Sequence, residues 1–173
     1  HPPPPRPPPP PPPTPPAPLP AAHARAPPAP RGSGPLVTAQ DATDVSVNGT
    51  IAYLGNGTTG IRTVDVSNPT LPVSLAVAPT AAPVNGLFET GGTAYGAVGT
   101  AGVQIVDVTN PNAPAAGFVV NTPGTSYDLV VNGLTGFVAD GNFFTIIHFT
   151  STHAGQIGAV APVRGSAQVK GVA

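Results

Sequence analysis

From Asp44 onward the chain runs in short apolar bursts, each closed by Gly, Asn or Pro. Asp44 to Val47, Ile51 to Leu54, Ile61 to Val66 and Val73 to Val77 are rich in Val and Ile, and between them lie Asn48-Gly49, Gly55-Asn56-Gly57 and Ser67-Asn68-Pro69. Runs this short, with no sustained i, i+3, i+4 apolar stripe, predict strands rather than helices, joined by turns in which Gly and Asn supply positive φ. The pattern then recurs. Leu87-Phe88, Ala94 to Val98, Val103 to Val108 and Phe118 to Val120 form a second set, and Leu129 to Val131, Gly136 to Ala139, Phe144 to Phe149 and Ile157 to Val160 a third.

The recurrence has a fixed step of 42 residues. Val64-Asp65-Val66-Ser67-Asn68-Pro69 returns as Val106-Asp107-Val108-Thr109-Asn110-Pro111, Gly49 as Gly91 and Gly133, and Gly57 as Gly99 and Gly141. Ala52-Tyr53 returns as Ala94-Tyr95 and Gly136-Phe137, and Asp44 as Asp128 two steps on. Four strands in such a unit is the size of a propeller blade. The expected body, residues 36–173, is therefore all-β, with three 42-residue, four-stranded, propeller-like blades at about 39–80, 81–122 and 123–164 and no insertions. Residues 165–173 align with Pro123 to Val131, the first strand of a further blade, and Leu36-Val37-Thr38 with Ala78 to Thr80, the tail of a last one. Unpaired backbone at a sheet edge templates pairing with another chain. Leu36, Val37, Val169 and Val172 are thus the expected assembly residues, through which one subunit completes a blade of the next.

The stretches Gly60-Ile61-Arg62-Thr63-Val64-Asp65-Val66-Ser67-Asn68-Pro69 and Gly102-Val103-Gln104-Ile105-Val106-Asp107-Val108-Thr109-Asn110-Pro111 resemble the LVIVD repeat family of β-propeller-like surface and secreted proteins. The resemblance implies a propeller-like fold and carries no general enzymatic activity. The third copy departs from it, with His148-Phe149-Thr150-Ser151-Thr152-His153 where the motif is expected.

Composition divides the chain in two. Residues 1–35 hold 19 of the 27 prolines, and the body holds 19 of the 21 glycines. Proline fixes φ and lacks an N–H, so the arm is expected as an extended polyproline II rod, on the order of 50 Å for its first sixteen residues, followed by a looser tether. The run Pro2, Pro3, Pro4, Pro5, Pro7, Pro8, Pro9, Pro10, Pro11, Pro12, Pro13, Thr14, Pro15 and Pro16 resembles the hydroxyproline-rich glycoproteins of extracellular matrices. That resemblance implies hydroxylation and O-linked sugar at these positions. Only 8% of residues are charged, far below the usual quarter. A surface so poor in charge fits one covered by neighbours or by sugar. The arm is +3 and the body −4, which permits arm-to-body attraction, while a net charge of −1 argues against nucleic acid as a partner. No cysteine is present, no apolar run reaches membrane-span length and no signal peptide is visible. Opening on His1 rather than Met suggests processing.

Candidates for chemistry are few. Asp65 and Asp107 recur once per blade and read as acceptors of turn N–H groups rather than as metal or acid–base carboxylates. Asp140-Gly141-Asn142 lacks the further acidic ligands that calcium requires and reads as a turn. His148 and His153 have no partners of zinc-site type nearby in sequence, and a copper site at His1 would need a second histidine brought close. The serines and the single glutamate, Glu89, form no triad or carboxylate pair, and there is no phosphate loop. No enzymatic activity and no cofactor are expected. Asn48-Gly49-Thr50 and Asn56-Gly57-Thr58 are N-glycosylation sequons on expected turns, making Asn48 and Asn56 candidate sites. Together these features point to a structural subunit of an extracellular, glycosylated fibril, partnered by its own copies and covalent glycans. The rival reading is a secreted propeller that binds glycan or protein, carried on a Pro-rich stalk.

Overall fold

The computed structural model describes residues 1–3, 36–38, 40–151 and 154–162, with side chains as far as Phe149. The chain divides into two units, His1–Arg31 and Gly32–Ala173. Among the described residues of the second unit, twelve strands form three antiparallel four-stranded sheets in simple up-and-down order. The first sheet is β1 (Asp44–Asn48), β2 (Ile51–Gly55), β3 (Ile61–Asp65) and β4 (Val73–Ala78). The second is β5 (Gly86–Thr90), β6 (Thr93–Ala97), β7 (Val103–Asp107) and β8 (Ala115–Val120). The third is β9 (Ser126–Asn132), β10 (Thr135–Asp140), β11 (Phe143–Ser151) and β12 (Ala154–Pro162). One short 3₁₀ turn, Gly57–Thr59, interrupts the strands among the described residues.

The turns follow from glycine. The hairpins β1–β2, β5–β6 and β9–β10 are two-residue connections whose first central residues, Gly49, Gly91 and Gly133, have φ near +60°. Two-residue hairpins need such values to match the twist of the strands, and side chains resist them. Gly60 and Gly102 precede β3 and β7 with φ of 110° and 99°. A Cβ there would also overlap the Ala78 and Val120 carbonyls of the neighbouring outer strand.

The sheets pack face to face in chain order, with β1 beside β5 and β5 beside β9. Between the first two lies a core of Tyr53, Ile61, Ala78 and Val84 against Leu87, Ala94, Val106 and Val108. Between the second and third, Tyr95, Ala97, Val103, Ile105 and Val120 meet Leu129, Val131, Val138, Ile147 and Phe149. The rings of Tyr95 and Phe149 sit 4.8 Å apart, a pairing that adds about 1 kcal/mol beyond burial. Hydrogen bonds join the inner edges as well. Thr43 Oγ1 donates to the Val84 carbonyl at 2.6 Å, and one step on Asn85 Nδ2 donates to the Ser126 carbonyl at 3.0 Å. Leu87 N–H donates to Asp44 Oδ2 at 2.6 Å.

The uniform 42-residue step needs one correction. In the second sheet Ala97 pairs with Val103, but in the third Ala139 pairs with Phe144, one residue early. The β10–β11 connection has lost a residue, so Phe144 takes the place of Val103, and Ile147-His148-Phe149-Thr150 that of Val106-Asp107-Val108-Thr109. Pairing keeps Ile147 and Phe149 in the core despite the deletion, because a one-residue slip would turn both outward. His148 therefore replaces the motif aspartate, and the motif is lost from Ser151 on. Leu36 and Val37 lie outside the strands, Leu36 half-buried and Val37 exposed, while residues 165–173, and with them Val169 and Val172, lie outside the described residues.

Replacing Gly102 with alanine should destabilise the fold by about 3 kcal/mol, from backbone strain plus overlap with the Val120 carbonyl. Gly91→Ala, with open space around the new methyl, should cost about 1 kcal/mol from φ alone. Urea denaturation of the two variants reads the difference.

Candidate functional site

The polar groups are placed by the turns. At the end of β3, Asp65 Oδ1 accepts the Ser67 N–H at 2.8 Å, and at the end of β7 Asp107 Oδ1 accepts the Thr109 N–H at 2.9 Å and its hydroxyl at 2.7 Å. Asn68 and Asn110 follow with the same device, accepting the N–H groups of Thr70 and Asn112 at 3.1 Å. The recurring Asp-x-Ser/Thr-Asn-Pro is thus a turn clamp on the surface. The Ser67 hydroxyl, and then its N–H, hold the Asp65 carboxyl below its ordinary range.

Asp140 is the most enclosed acid. Its Oδ1 accepts the hydroxyls of Thr122 at 2.8 Å and Ser126 at 3.0 Å, and its Oδ2 accepts Thr145 Oγ1 and Gly124 N–H, both at 3.0 Å. Four donors without a base make it a buried anchor tying β10 to β9 and β11, not a calcium loop. Glu89 is also buried, at a position where the flanking copies have Val47 and Val131. Its Oε1 accepts the Gly92 N–H at 2.9 Å, while Oε2 is enclosed without a hydrogen-bond partner. Burial, and then the charge of Glu89, raise the Tyr53 hydroxyl above its ordinary 10.0. No group of three or more His, Cys, Asp or Glu suited to a metal ion occurs among the described residues, and no pocket indents them.

The two sequons are placed differently. Asn48 is exposed at the tip of the first hairpin. Asn56 is fully buried and its Nδ2 donates to Thr59 Oγ1, so the atom that would carry sugar faces into the fold. His148 is exposed on β11, far in sequence from exposed His1, and His153 lies outside the described residues, as do Pro4 to Pro16 with Thr14. Pro2 and Pro3 are exposed.

What sequence reading missed is apolar. Val45 and Val47, Leu71 and Val73, and Phe118 and Val119 are neighbouring exposed pairs on the outside of the body. The step of 42 held the signal for the first pair, since it aligns Val45 with Leu87 and Leu129, both of which are buried.

Residues 39–76 and 90–122 match the LVIVD repeat. The match runs through the first sheet as far as Ala76 in β4 and resumes at Thr90, the last residue of β5, so it takes in both turn clamps and leaves out most of β5 and the whole third sheet, where the deletion and the lost motif lie. No curated protein matches the chain in sequence. Among solved structures, the N-terminal domain of Nup159 aligns at 9% identity over 69% of this chain and 30% of its own length, with a TM-score of 0.46. The S. cerevisiae complex of Dbp5 bound to Nup159 and Gle1 aligns at 10% identity over 75% and 34%, with a TM-score of 0.48. The chain spans about a third of the length of these structures, and the all-β assignment rests on the strand pairing rather than on them.

Two titrations check these electrostatics. Asp65 should titrate below 3.8 by NMR, and Ser67→Ala should move it back up. Because its folded pKa is depressed, its contribution to stability is present above the unfolded value and lost as pH falls through the folded one. Tyr53 should ionise above 10.0 in an ultraviolet titration, and Glu89→Gln should lower it. Its raised pKa makes its share of stability complete below 10.0 and lost as pH climbs through the folded value. Asp140→Ala, which strips the acceptor from four buried or half-buried donors, should cost about 3 kcal/mol or more in thermal unfolding.

Proposed function

We propose that this chain is a non-enzymatic repeat module that works by binding through its surfaces, and that its first partner is another copy of itself in an extracellular, glycosylated fibril. One observation carries the reading. The acids that would do chemistry are spent on turns and buried anchors, whereas apolar side chains stand outside in pairs, at Val45 and Val47, Leu71 and Val73, and Phe118 and Val119. Exposed apolar surface of this kind marks interaction sites. The low charge of the whole chain agrees with a surface that neighbours or sugars cover.

In this reading the Pro-rich arm is an extended rod, hydroxylated and O-glycosylated over Pro2 to Pro16, that lies along neighbours or carries sugar outward. Asn48 carries an N-glycan, since its side chain reaches solvent at a hairpin tip. Residues 165–173 complete a blade of the adjoining subunit, meeting Leu36 and Val37. A second reading, a secreted propeller-type module binding glycan or protein on a Pro-rich stalk, draws on the match of two copies to the LVIVD repeat.

Negative-stain microscopy of native material should show continuous filaments, and intact mass should exceed the bare 17.0 kDa by the mass of sugar and hydroxyl groups. A monodisperse monomer of the bare mass would sink the fibril reading and leave the binding module standing.

A further inference from the structure

The two sheet-on-sheet contacts within the chain are built alike. On β5 and β9 the side chains that face the preceding sheet are Leu87 and Glu89, and Leu129 and Val131, all at or below 7% exposure. The matching residues of β1, Val45 and Val47, are 56% and 60% exposed. They are as apolar as their counterparts, and the difference is in the cover. A sheet lies against β5 and β9, and no described strand lies over this side of β1. Deeper in the first sheet Ala52 and Val64 are buried, so the free strip runs along β1 itself.

The third sheet offers the complementary side. Allowing for the deletion, Phe137, Phe144 and Ile146 stand where the second sheet has Tyr95, Val103 and Ile105, the residues it turns toward the third. They are half-buried, and the rings of Phe137 and Phe144 stack with centroids 6.1 Å apart at 15°. Strand parity sends them away from the second sheet, because Val138, Ile147 and Phe149 fill that core.

We propose that the Val45–Val47 strip of one copy receives the Phe137–Phe144–Ile146 face of a second copy, making between chains, along β1, the part of the sheet contact that Leu87 and Glu89, and Leu129 and Val131, make within one. The repeat fixes the occupant, since at both equivalent places the cover is a sheet presenting this same set of positions. Neither surface carries a charge among these residues, so no desolvated ion opposes the contact. The contact is head-to-tail. Each added copy leaves one face of each kind free, so association propagates unless the rotation closes a ring. This proposal rests on the self-association reading above, and differs from strand exchange through residues 165–173 in placing the seam between sheet faces.

Sedimentation velocity of the full 173-residue chain over a concentration series tests it. The wild type should associate reversibly. A Val45→Lys, Val47→Lys double variant and an Ile146→Lys variant should each weaken association by at least about tenfold. Mixed together, the two should form a dimer and stop there, since each keeps the face the other has lost. The double variant should melt with the wild type because its side chains are already exposed, and it decides the matter alone if Ile146→Lys does not fold. A double variant that associates as tightly as wild type overturns the sheet-face seam. If association is instead abolished by removing residues 165–173, the fibril reading survives that result. A wild type that stays monomeric throughout overturns both.

Discussion

A four-stranded antiparallel sheet with apolar side chains on both faces must be covered on both, and the rest of this body depends on that requirement. Tyr53 and Ile61 have no place in water, and they are covered because the next sheet turns Leu87, Ala94 and Val106 toward them. The same sheet then exposes Tyr95, Val103 and Ile105 on its far side, and these require a third. Each unit solves the burial problem of its predecessor and creates one for its successor. Such a unit is stable only in series, as repeat architectures are.

The inner edges show how the series is kept in line. Asp44 to Leu87 links the first strands of adjoining sheets, and Thr43 to Val84 and Asn85 to Ser126 link them at or just before their first residues. The turn clamps at Asp65 and Asp107 hold the start of each outer crossing, and Asp140 does related work inside the third sheet. Acids that would be candidates for catalysis in another setting are here committed to backbone and hydroxyl donors. Glu89 is committed by one oxygen alone, which accepts the Gly92 N–H; it is buried where the flanking copies have valine, with its other oxygen unmet and a tyrosine beside it.

Much of this was legible in the sequence, for a physical reason. Period-two strands, Gly-bearing hairpins and a constant step leave marks that survive without coordinates, so the strand positions and the turn role of Asp65 and Asp107 could be read from residues alone. The lost residue between β10 and β11 could not. The deletion leaves Gly141 in step and shifts only the residues beyond it. The apolar residues there, Phe143, Phe144, Ile146 and Ile147, fit either register until pairing with Val138 and Ala139 is seen. The burial of Asn56 was hidden as well, because a sequon on a turn looks the same whether its amide faces water or Thr59. The exposure of Val45 and Val47 depends on what lies against them, and that is a property of packing rather than of the residues.

The central claim is that one kind of sheet-to-sheet contact serves both inside the chain and between copies. The chain has no cysteine, so introduced thiols report contact without background. The direct measurement mixes a Val47→Cys chain with a Phe137→Cys chain under mild oxidation and reads the intermolecular disulfide by mass spectrometry, Phe137 lying on β10, the counterpart of the strands β2 and β6 that approach β5 and β9 within the chain. The expected result is a cross-link between Val47→Cys and Phe137→Cys chains in preference to either with itself. Equal or stronger linking of Val47→Cys to its own kind, or no linking at concentrations where the chain associates, would contradict it.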